Sequence, residues 1–345
     1  MLDHSILHVR DFALQSGLVL PDAYLAYKTY GRLNKYKDNA IVFPTWFCGQ
    51  HRGNEWLIGS RRALDPDKYF IIVPNMLGNG LSSSPSNMPA PLAKSGFPKT
   101  TINDNVRLQH QLVSGHFGID HLALAIGWSM GAQQAYEWAS YYPNMVARLA
   151  ALCGSAKTSR HNLVFLEGVK AALTADADFN CGQYHERPLV GLRAMSRVYA
   201  GWALSQAFYR EQLDISALGF PTFDAFFEGF WEQLFVNVDA NDILAMLSTW
   251  QAADICNNPK YRGNLPKALA SITASALVMP CRTDLYFPPE DSEIEVASMR
   301  NAELDVIPSI WGHAAGAGIN PADVDYIDRA IGRLLNSSAN NIRNS

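Results

Sequence analysis

The pentapeptide Gly-Trp-Ser-Met-Gly at residues 127–131 places a serine between two glycines. A serine hydroxyl becomes a nucleophile when a base takes its proton, a carboxylate orients that base and N–H groups receive the oxyanion. A G-x-S-x-G motif is typical of this chemistry when it forms the turn between a strand and a helix, because the tight turn lifts the hydroxyl clear of the sheet. An apolar run precedes the motif and a helical pattern follows it. Ser129 is therefore the candidate nucleophile, and a turn that happens to contain serine is the less favoured interpretation.

The partners of such a serine follow it along the chain, the acid first and the histidine second. Asp284 stands just past the apolar run Ser275–Cys281, and His313 follows the run Ala302–Pro308. Other acidic residues compete with Asp284, but they follow a Pro-Pro pair in what reads as the first turn of a helix, where the helix dipole accounts for negative charge. These competitors are Glu290, Asp291 and Glu293. We predict Asp284 as the acid and His313 as the base.

Two backbone N–H groups should form the oxyanion hole. Met130, directly after the serine, supplies one, and a loop after an early strand supplies the other. That loop reads FCGQHRGNEW, which makes Phe47 the candidate, with Trp46 as the alternative. The candidates for lining the pocket are Trp46, His51 and Trp128.

Six apolar runs are predicted to be the strands that position these residues. Most are almost continuously apolar, as strands buried on both faces are, and this favours a parallel sheet. The runs are Ala40–Trp46, Tyr69–Asn75, Leu122–Gly127, Leu149–Ser155, Ser275–Cys281 and Ala302–Pro308. Helical patterns alternate with them, over Ile102–Gly118, from Gly131 to the residue before Pro143, and from Pro321 onward. The alternation predicts a doubly wound α/β fold with helices on both faces of the sheet.

One long region interrupts the alternation. Residues 156–264 contain aromatic- and alanine-rich helical patterns and no convincing strand pattern. We interpret them as a helical lid inserted into an α/β core formed by residues 1–155 and 265–345. A separate helical domain is the alternative, but the strand pattern returns at Ser275, which favours an insertion.

The composition argues against several classes of protein. The 345 residues are 48% hydrophobic and 17% charged, enough to build a large core. The net charge is −4 and no basic run is interleaved with aromatic residues, so we expect no nucleic-acid partner. No apolar run reaches the roughly 18 residues of a membrane span, and the first residues do not read as a secretory signal. Five scattered cysteines without a CxxC pair predict reduced thiols in a cytoplasmic protein, with no metal site and no cofactor.

With these residues placed, the chain resembles the homoserine O-acetyltransferase family of α/β-hydrolase-fold proteins. The similar stretches are LIGSRRALDPDKYFIIVPNMLGNGLSSSPS, FPKTTINDNVRLQHQLVSGHFGIDHLALAIGWSMGAQQAYEWASYYP, VNVDANDILAMLSTWQAADI, TDLYFPPE and GH. The resemblance implies an α/β-hydrolase fold with a helical lid and a double-displacement mechanism. It makes Ser129, Asp284 and His313 the matching catalytic positions. It also implies a homodimer formed through the lid helices.

The departures from that family bear on the substrate. The acetyltransferases usually carry an aspartate directly after the histidine to hold the amino group of homoserine, and here that residue is Ala314. The usual Tyr-Arg pair for the substrate carboxylate is not found in RVYAGWALSQAFY, and the loop FPTWFCGQH departs from the usual His-Ala-Leu-Thr-Gly. A pocket without these charged anchors should not favour a zwitterionic amino acid, because each charge would lose water without gaining a partner. The stretch CGSAKTSRHNLVFLEGVKAAL resembles the esterase and hydrolase members of the family more closely.

We therefore expect a serine hydrolase that acts on carboxylic or acyl esters through an acyl-enzyme intermediate. Its partner would be a small-molecule ester. The main alternative is an O-acyltransferase that uses acetyl-CoA as co-substrate with homoserine or another alcohol. A non-catalytic ligand-binding protein on the same scaffold is the alternative from another class, and the presence of all three candidate catalytic residues argues against it.

Overall fold

One mixed eight-stranded sheet forms the centre of the computed structural model, which describes residues 3–337. The strand order is β1-β2-β4-β3-β5-β6-β7-β8. β1 and β2 are antiparallel to each other, β2 is antiparallel to β4, and the other neighbours run parallel. The strands are β1 (Ser5–Ala13), β2 (Val19–Tyr30), β3 (Ala40–Val42), β4 (Phe70–Pro74), β5 (Leu122–Trp128), β6 (Arg148–Leu152), β7 (Ser275–Met279) and β8 (Ala302–Leu304).

The six apolar runs of the sequence correspond to β3 through β8, and the predicted mostly parallel α/β sheet is confirmed. The central strands β3, β4 and β5 are buried along their whole length. The strands β1 and β2 were not among the six runs. Many of their side chains are exposed, so neither strand carries the continuous apolar signal of a strand covered on both faces.

Twelve α-helices accompany the sheet in the part of the chain that the structure describes. α2 packs against β5, β6 and α1, and α12 packs against β6 and β7. No helix among residues 3–337 is both long and apolar enough to cross a membrane. The helices are α1 (Ile102–His110), α2 (Met130–Tyr141), α3 (Arg160–Thr174), α4 (Leu189–Ala203), α5 (Gln206–Arg210), α6 (Leu213–Ser216), α7 (Phe223–Phe226), α8 (Gln233–Phe235), α9 (Ala240–Gln251), α10 (Leu265–Ala270), α11 (Pro289–Val296) and α12 (Pro321–Asn336).

The helices α3 to α9 all lie between β6 and β7 along the chain, within residues 156–264, which we call the helical insert. Its two ends lie side by side. The Thr158 N–H donates to the Ala253 carbonyl at 3.0 Å, and the Ile255 N–H donates to the Ala156 carbonyl at 3.1 Å. The chain thus leaves the sheet region and returns to it at one place, and α10 then leads into β7.

Candidate active site

Ser129 lies at the junction of β5 and α2, as the residue that precedes the helix. Its backbone has φ +58° and ψ −128°, in a region that side chains with a Cβ rarely adopt. The strain is compensated by the helix, since the N–H groups of Ala132 and Gln133 both donate to the Ser129 carbonyl, at 2.9 and 3.2 Å. Strained backbone of this kind is concentrated at functional sites.

The two glycines of the motif permit a close approach of strand and helix. A Cβ on Gly127 would overlap the backbone of Gly131, the second residue of α2. A Cβ on Gly131 would in turn lie 2.7 Å from the Pro44 carbonyl oxygen, in the loop after β3. The pattern in the sequence therefore reflects backbone-to-backbone packing on both sides of Ser129.

Ser129, His313 and Asp284 form a continuous hydrogen-bonded relay. The distance from Ser129 Oγ to His313 Nε2 is 2.9 Å, and the distance from His313 Nδ1 to Asp284 Oδ2 is 2.8 Å. All three side chains are buried. The arrangement can move a proton from the serine hydroxyl to the imidazole, while the carboxylate stabilises the imidazolium that results.

The second carboxylate oxygen of Asp284 is held by the backbone. Its Oδ1 accepts hydrogen bonds from the N–H groups of Tyr286 and Phe287, at 2.8 and 3.2 Å. The loop after β7 thus fixes which oxygen faces the histidine. Because Oδ2 accepts from Nδ1–H, the imidazole presents an unprotonated Nε2 to the serine.

Aromatic rings surround the imidazole. The Trp128 ring stacks on His313 with centroids 4.9 Å apart, and the rings of Tyr286 and Phe287 lie 4.6 and 5.5 Å away. The Trp128 indole also donates from Nε1 to the His313 carbonyl at 3.2 Å. These contacts fix the orientation of the ring and limit the access of water to it.

The predicted oxyanion donors lie near this relay in the fold. Met130 begins α2 directly after Ser129, and Phe47 lies in the loop after β3, against which α2 packs at Gly131. Among the contacts of residues 3–337, neither backbone N–H has a hydrogen-bond acceptor. The Phe47 ring points into the helical insert, where it stacks on Tyr199 at 5.7 Å.

An apolar cavity of about 210 Å³ opens on the relay at His313. Its walls come from the loop after β3, from the turn around Ser129 at residues 127–131, from the helical insert and from the turn that carries His313. Of the residues predicted to line the pocket, Trp46 and Trp128 line this cavity, and so does Phe47, the predicted oxyanion donor. The other lining residues are Cys48, Tyr199, Ala203, Phe230, Trp231, Leu234, Phe235, Ala314, Ala317 and Ile319.

The prediction that His51 lines the pocket is wrong for this cavity. The His51 ring is buried on the other side of its loop, where Nδ1 lies 3.3 Å from Asn75 Nδ2 and Nε2 lies 3.3 Å from Asp3 Oδ2. His51 begins the short 3₁₀ helix His51–Leu57, and its hydrogen-bond partners Asn75 and Asp3 are not among the residues that line the cavity.

Two ionisable side chains of the cavity, outside the relay, are held neutral by burial. Burial raises the pKa of the Cys48 thiol, and burial also raises the pKa of the Tyr199 phenol. Both groups therefore stay protonated at neutral pH. Since the thiolate and not the thiol is the nucleophilic form of cysteine, Cys48 does not compete with Ser129 for the substrate.

The residues that sequence reasoning missed come mostly from the helical insert. Tyr199, Phe230, Trp231, Leu234 and Phe235 belong to helical patterns rich in aromatic residues, but one sequence does not tell which side of such a helix faces the core. Ala314 is the exception, because its position after His313 already marked it.

A family model described as the alpha/beta hydrolase fold matches residues 40–315 of this chain. The match spans the turn around Ser129, the helical insert and the loops that carry Asp284 and His313. It confirms the fold predicted from the sequence.

The chain is also similar over nearly its full length to individual proteins. It is 39% identical to an ethyl acetate hydrolase of Pseudomonas veronii, over 97% of this chain and 96% of the relative. The crystal structure of an acetylester hydrolase from Corynebacterium glutamicum superposes with a TM-score of 0.94 at 36% identity, covering 97% of this chain and 96% of the other. A homoserine O-acetyltransferase of Trichormus variabilis is 31% identical, over 88% of this chain and 87% of the relative.

The two ester hydrolases have a higher sequence identity to this chain than the acetyltransferase has. This agrees with the departures from the acetyltransferase pattern that the sequence showed. The chain therefore belongs to the alpha/beta hydrolase family, in the group that contains acetyl ester hydrolases together with homoserine O-acetyltransferases.

Proposed function

We propose that this protein is a serine esterase that hydrolyses small, uncharged esters with a short acyl chain. The observation that carries the proposal is the relay from Asp284 through His313 to Ser129, which opens onto an apolar cavity. The names of the similar proteins, an ethyl acetate hydrolase and an acetylester hydrolase, support the same substrate class.

In the first half of the reaction, Ser129 Oγ attacks the ester carbonyl while His313 Nε2 takes the hydroxyl proton. The carbonyl oxygen becomes an oxyanion, which the N–H groups of Phe47 and Met130 receive. The tetrahedral intermediate then collapses. The bond to the alkoxy oxygen breaks, His313 returns its proton to that oxygen, and an alcohol leaves an acylated Ser129 behind.

In the second half, water takes the place of the alcohol. His313 removes a proton from the water as its oxygen attacks the acyl carbonyl, and the same two N–H groups receive the second oxyanion. The intermediate collapses to a carboxylic acid, and the proton returns from His313 to Ser129. Side chains of this chain carry every proton transfer, so the proposed cycle uses no cofactor.

The size and lining of the cavity support the short, uncharged substrate. Its volume of about 210 Å³ lies below the roughly 300–1,000 Å³ of pockets that bind drug-sized ligands. Besides His313, the ionisable side chains that line it are Cys48 and Tyr199, and burial keeps both of them neutral at neutral pH. A charged substrate would lose its hydration there without a compensating partner.

We propose that the helical insert is the lid of this site. It contributes six residues to the cavity wall, namely Tyr199, Ala203, Phe230, Trp231, Leu234 and Phe235. The insert also exposes several large apolar side chains, namely Leu189, Val190, Phe223 and Leu234. These support the homodimer through lid helices that the family resemblance implies, and sedimentation of the purified protein tests that dimer. The predicted cytoplasmic location stays a prediction.

The acyltransferase alternative has the support of the homoserine O-acetyltransferase relative, but the cavity argues against homoserine. Ala314, at the position where those enzymes carry an aspartate, lines the cavity as an uncharged side chain. Release of CoA from acetyl-CoA, measured with and without homoserine, separates the two activities, because strong dependence on homoserine would contradict the esterase proposal.

A panel of p-nitrophenyl esters of increasing acyl length tests the proposal itself. We expect kcat/KM to be highest for the acetyl ester and to fall steeply as the chain outgrows the cavity. Ser129→Ala is the control and should abolish turnover and labelling by a fluorophosphonate probe. A wild-type protein that neither turns over an ester nor reacts with the probe would instead indicate the non-catalytic binding protein.

A further inference from the structure

The loop of residues 43–49, which carries Phe47, is held by hydrogen bonds from buried side-chain amides to its backbone carbonyls. Asn54 Nδ2 donates to the first two carbonyls of the loop, at 2.9 and 3.2 Å. Gln134 Nε2 donates to the third carbonyl at 2.8 Å, and Asn79 Nδ2 donates to the last at 3.1 Å. Because buried donors hold the carbonyls at both ends, they also set the direction of the Phe47 N–H.

The amide of Asn79 fixes the amide of its neighbour Asn75. Asn79 Oδ1 accepts from the backbone N–H groups of residues 81 and 82, so its Nδ2 is the end that donates to Asn75 Oδ1, at 3.1 Å. The His51 N–H donates to the same Asn75 oxygen at 3.1 Å. Asn75 Nδ2 therefore faces the Ala26 carbonyl, at 3.1 Å, and His51 Nδ1, at 3.3 Å.

This network determines the tautomer of His51. Since Asn75 Nδ2 is a donor, His51 Nδ1 must accept, and the ring proton lies on Nε2. That Nε2–H points at Asp3 Oδ2, 3.3 Å away, and the same carboxylate oxygen accepts from Arg52 Nε at 2.7 Å. Hydrogen bonds thus run from Asp3 through His51, Asn75 and Asn79 to the loop that carries Phe47.

A metal site is the rival interpretation of the outer end of this network. Ligand atoms of Asp3, His4 and His51 lie within 4.8 Å of one another. A metal on His51 Nε2 would need the ring proton on Nδ1, where Asn75 already directs a donor. Arg52 in addition occupies the Asp3 oxygen. The cluster therefore fits a chain of hydrogen bonds better than a cation.

We propose that His51 and Asn75 are positioning residues for the oxyanion hole: together with Asn79 they hold the loop that presents the Phe47 N–H, and Asp3 holds the His51 ring from outside. The inference rests on the proposed esterase function. Neither His51 nor Asn75 touches the cavity, so both act on the reaction only through the loop.

Four variants test the proposal. His51→Leu removes the acceptor for Asn75, whereas His51→Asn places an amide oxygen near the position of Nδ1 and should restore much of the activity. Asp3→Ala removes the outer acceptor at a partly exposed position and leaves the buried amides in place. His8→Leu is the matched control, because His8 forms a comparable pair with Asp22 on the surface, with 3.1 Å between Nδ1 and Oδ1.

The readouts are kcat and KM for an acetyl ester and the ratio of kcat/KM between that ester and its thiono analogue. A thiono ester gains little from oxyanion donors because sulfur is a poor hydrogen-bond acceptor. Loss of one oxyanion donor lowers kcat by about 10²–10³, so a displaced donor in His51→Leu should lower kcat by roughly tenfold to a hundredfold. KM should stay nearly constant, the ester-to-thiono ratio should fall, and Asp3→Ala should show the same pattern more weakly.

Unchanged kcat in both His51→Leu and Asp3→Ala would overturn the positioning role, as would a lowered kcat with an unchanged ester-to-thiono ratio. If His51→Leu does not fold, Asp3→Ala and His51→Asn decide the question. An inactive wild-type protein would contradict the proposed esterase function itself, which is a different outcome from an active enzyme that is indifferent to these variants.

Discussion

The indole Nε1 of Trp128 donates a hydrogen bond to the backbone carbonyl of His313, with 3.2 Å between the two atoms. Trp128, which directly precedes the proposed nucleophile Ser129, thus contacts the proposed general base His313. The Trp128 ring also stacks on the His313 ring, so one side chain fixes both the backbone and the imidazole.

Trp128→Phe tests this contact because it keeps a ring in place and removes the donor. Loss of a single hydrogen bond costs about 1 kcal/mol, which corresponds to a decrease in kcat of roughly fivefold if the His313 backbone relaxes. Steady-state kinetics with an acetyl ester measure the effect. A kcat equal to that of the wild type would show that the loop carrying His313 is held by its other contacts alone.

Asp284→Asn should lower kcat strongly, although the asparagine side chain has nearly the same shape and size as the aspartate. The backbone N–H groups of Tyr286 and Phe287 require an oxygen at the Oδ1 position, so the new amide would direct its NH₂ toward His313 Nδ1. The imidazole would then carry its proton on Nε2 and could not accept one from Ser129. We expect kcat to fall by about 10⁴, with little change in thermal stability.

The ¹⁵N chemical shifts of the His313 ring in Asp284→Asn provide the control for this interpretation. They should show a proton on Nε2, whereas the wild type should show it on Nδ1. A variant that retains the wild-type tautomer and most of its activity would contradict the assigned role of Asp284.

Ala314→Asp should weaken ester hydrolysis because it brings a negative charge into the apolar cavity beside His313. Ala314→Asn is the matched variant, since it has nearly the same size without the charge. We expect kcat/KM for an acetyl ester to be about tenfold lower with Asp than with Asn at neutral pH, in line with the cost of an unpaired buried charge. Equal values for the two variants would show that the cavity tolerates charge and would weaken the substrate assignment.

Buried carboxyl groups outside the site should make the stability of the fold depend on pH. Burial raises the pKa of Glu137, on α2, from its ordinary value of 4.5 to about 8. Between these values the folded protein binds a proton that the unfolded chain releases, so the free energy of unfolding falls as pH rises, by at most about 1.4 kcal/mol per pH unit.

Glu137→Gln should remove this contribution while keeping the oxygen that accepts from Asn103 Nδ2 at 2.6 Å. Urea unfolding at several pH values between 4.5 and about 8 measures the slope. Glu295, whose pKa burial raises to about 8, will maintain part of it in the variant. The exposed Glu303→Gln is the control, and an equal slope in wild type and Glu137→Gln would show that Glu137 ionises in the folded state without penalty.

The sequence was informative where backbone geometry demands particular residues. The strand-turn-helix pattern around Ser129 required glycines at positions 127 and 131, and both prove to be sites of backbone contact. The order of acid and histidine after strands placed Asp284 and His313, because parallel strands end at one edge of a sheet. The family comparisons confirm the fold on which this reasoning depended.

The sequence was less informative where aromatic residues lie on several sides of a helix, because the pattern then does not tell which side faces the core. The cavity wall formed by Tyr199 and Phe235 depends on how the helices of the insert pack, and aromatic residues occur on several sides of them. His51 illustrates the same limit in a loop. Its position in the chain, near Phe47, suggested the pocket, but its ring pairs with the buried amide of Asn75 and does not line the cavity.

Acylation of Ser129 tests the central claim most directly. The enzyme is mixed with excess p-nitrophenyl acetate, quenched in acid during turnover, digested and examined by mass spectrometry. We predict one added acetyl group on the peptide that contains Ser129, carried by the serine itself, and neither label nor turnover in Ser129→Ala. An acetyl group on another residue, or hydrolysis by Ser129→Ala at the wild-type rate, would contradict the account.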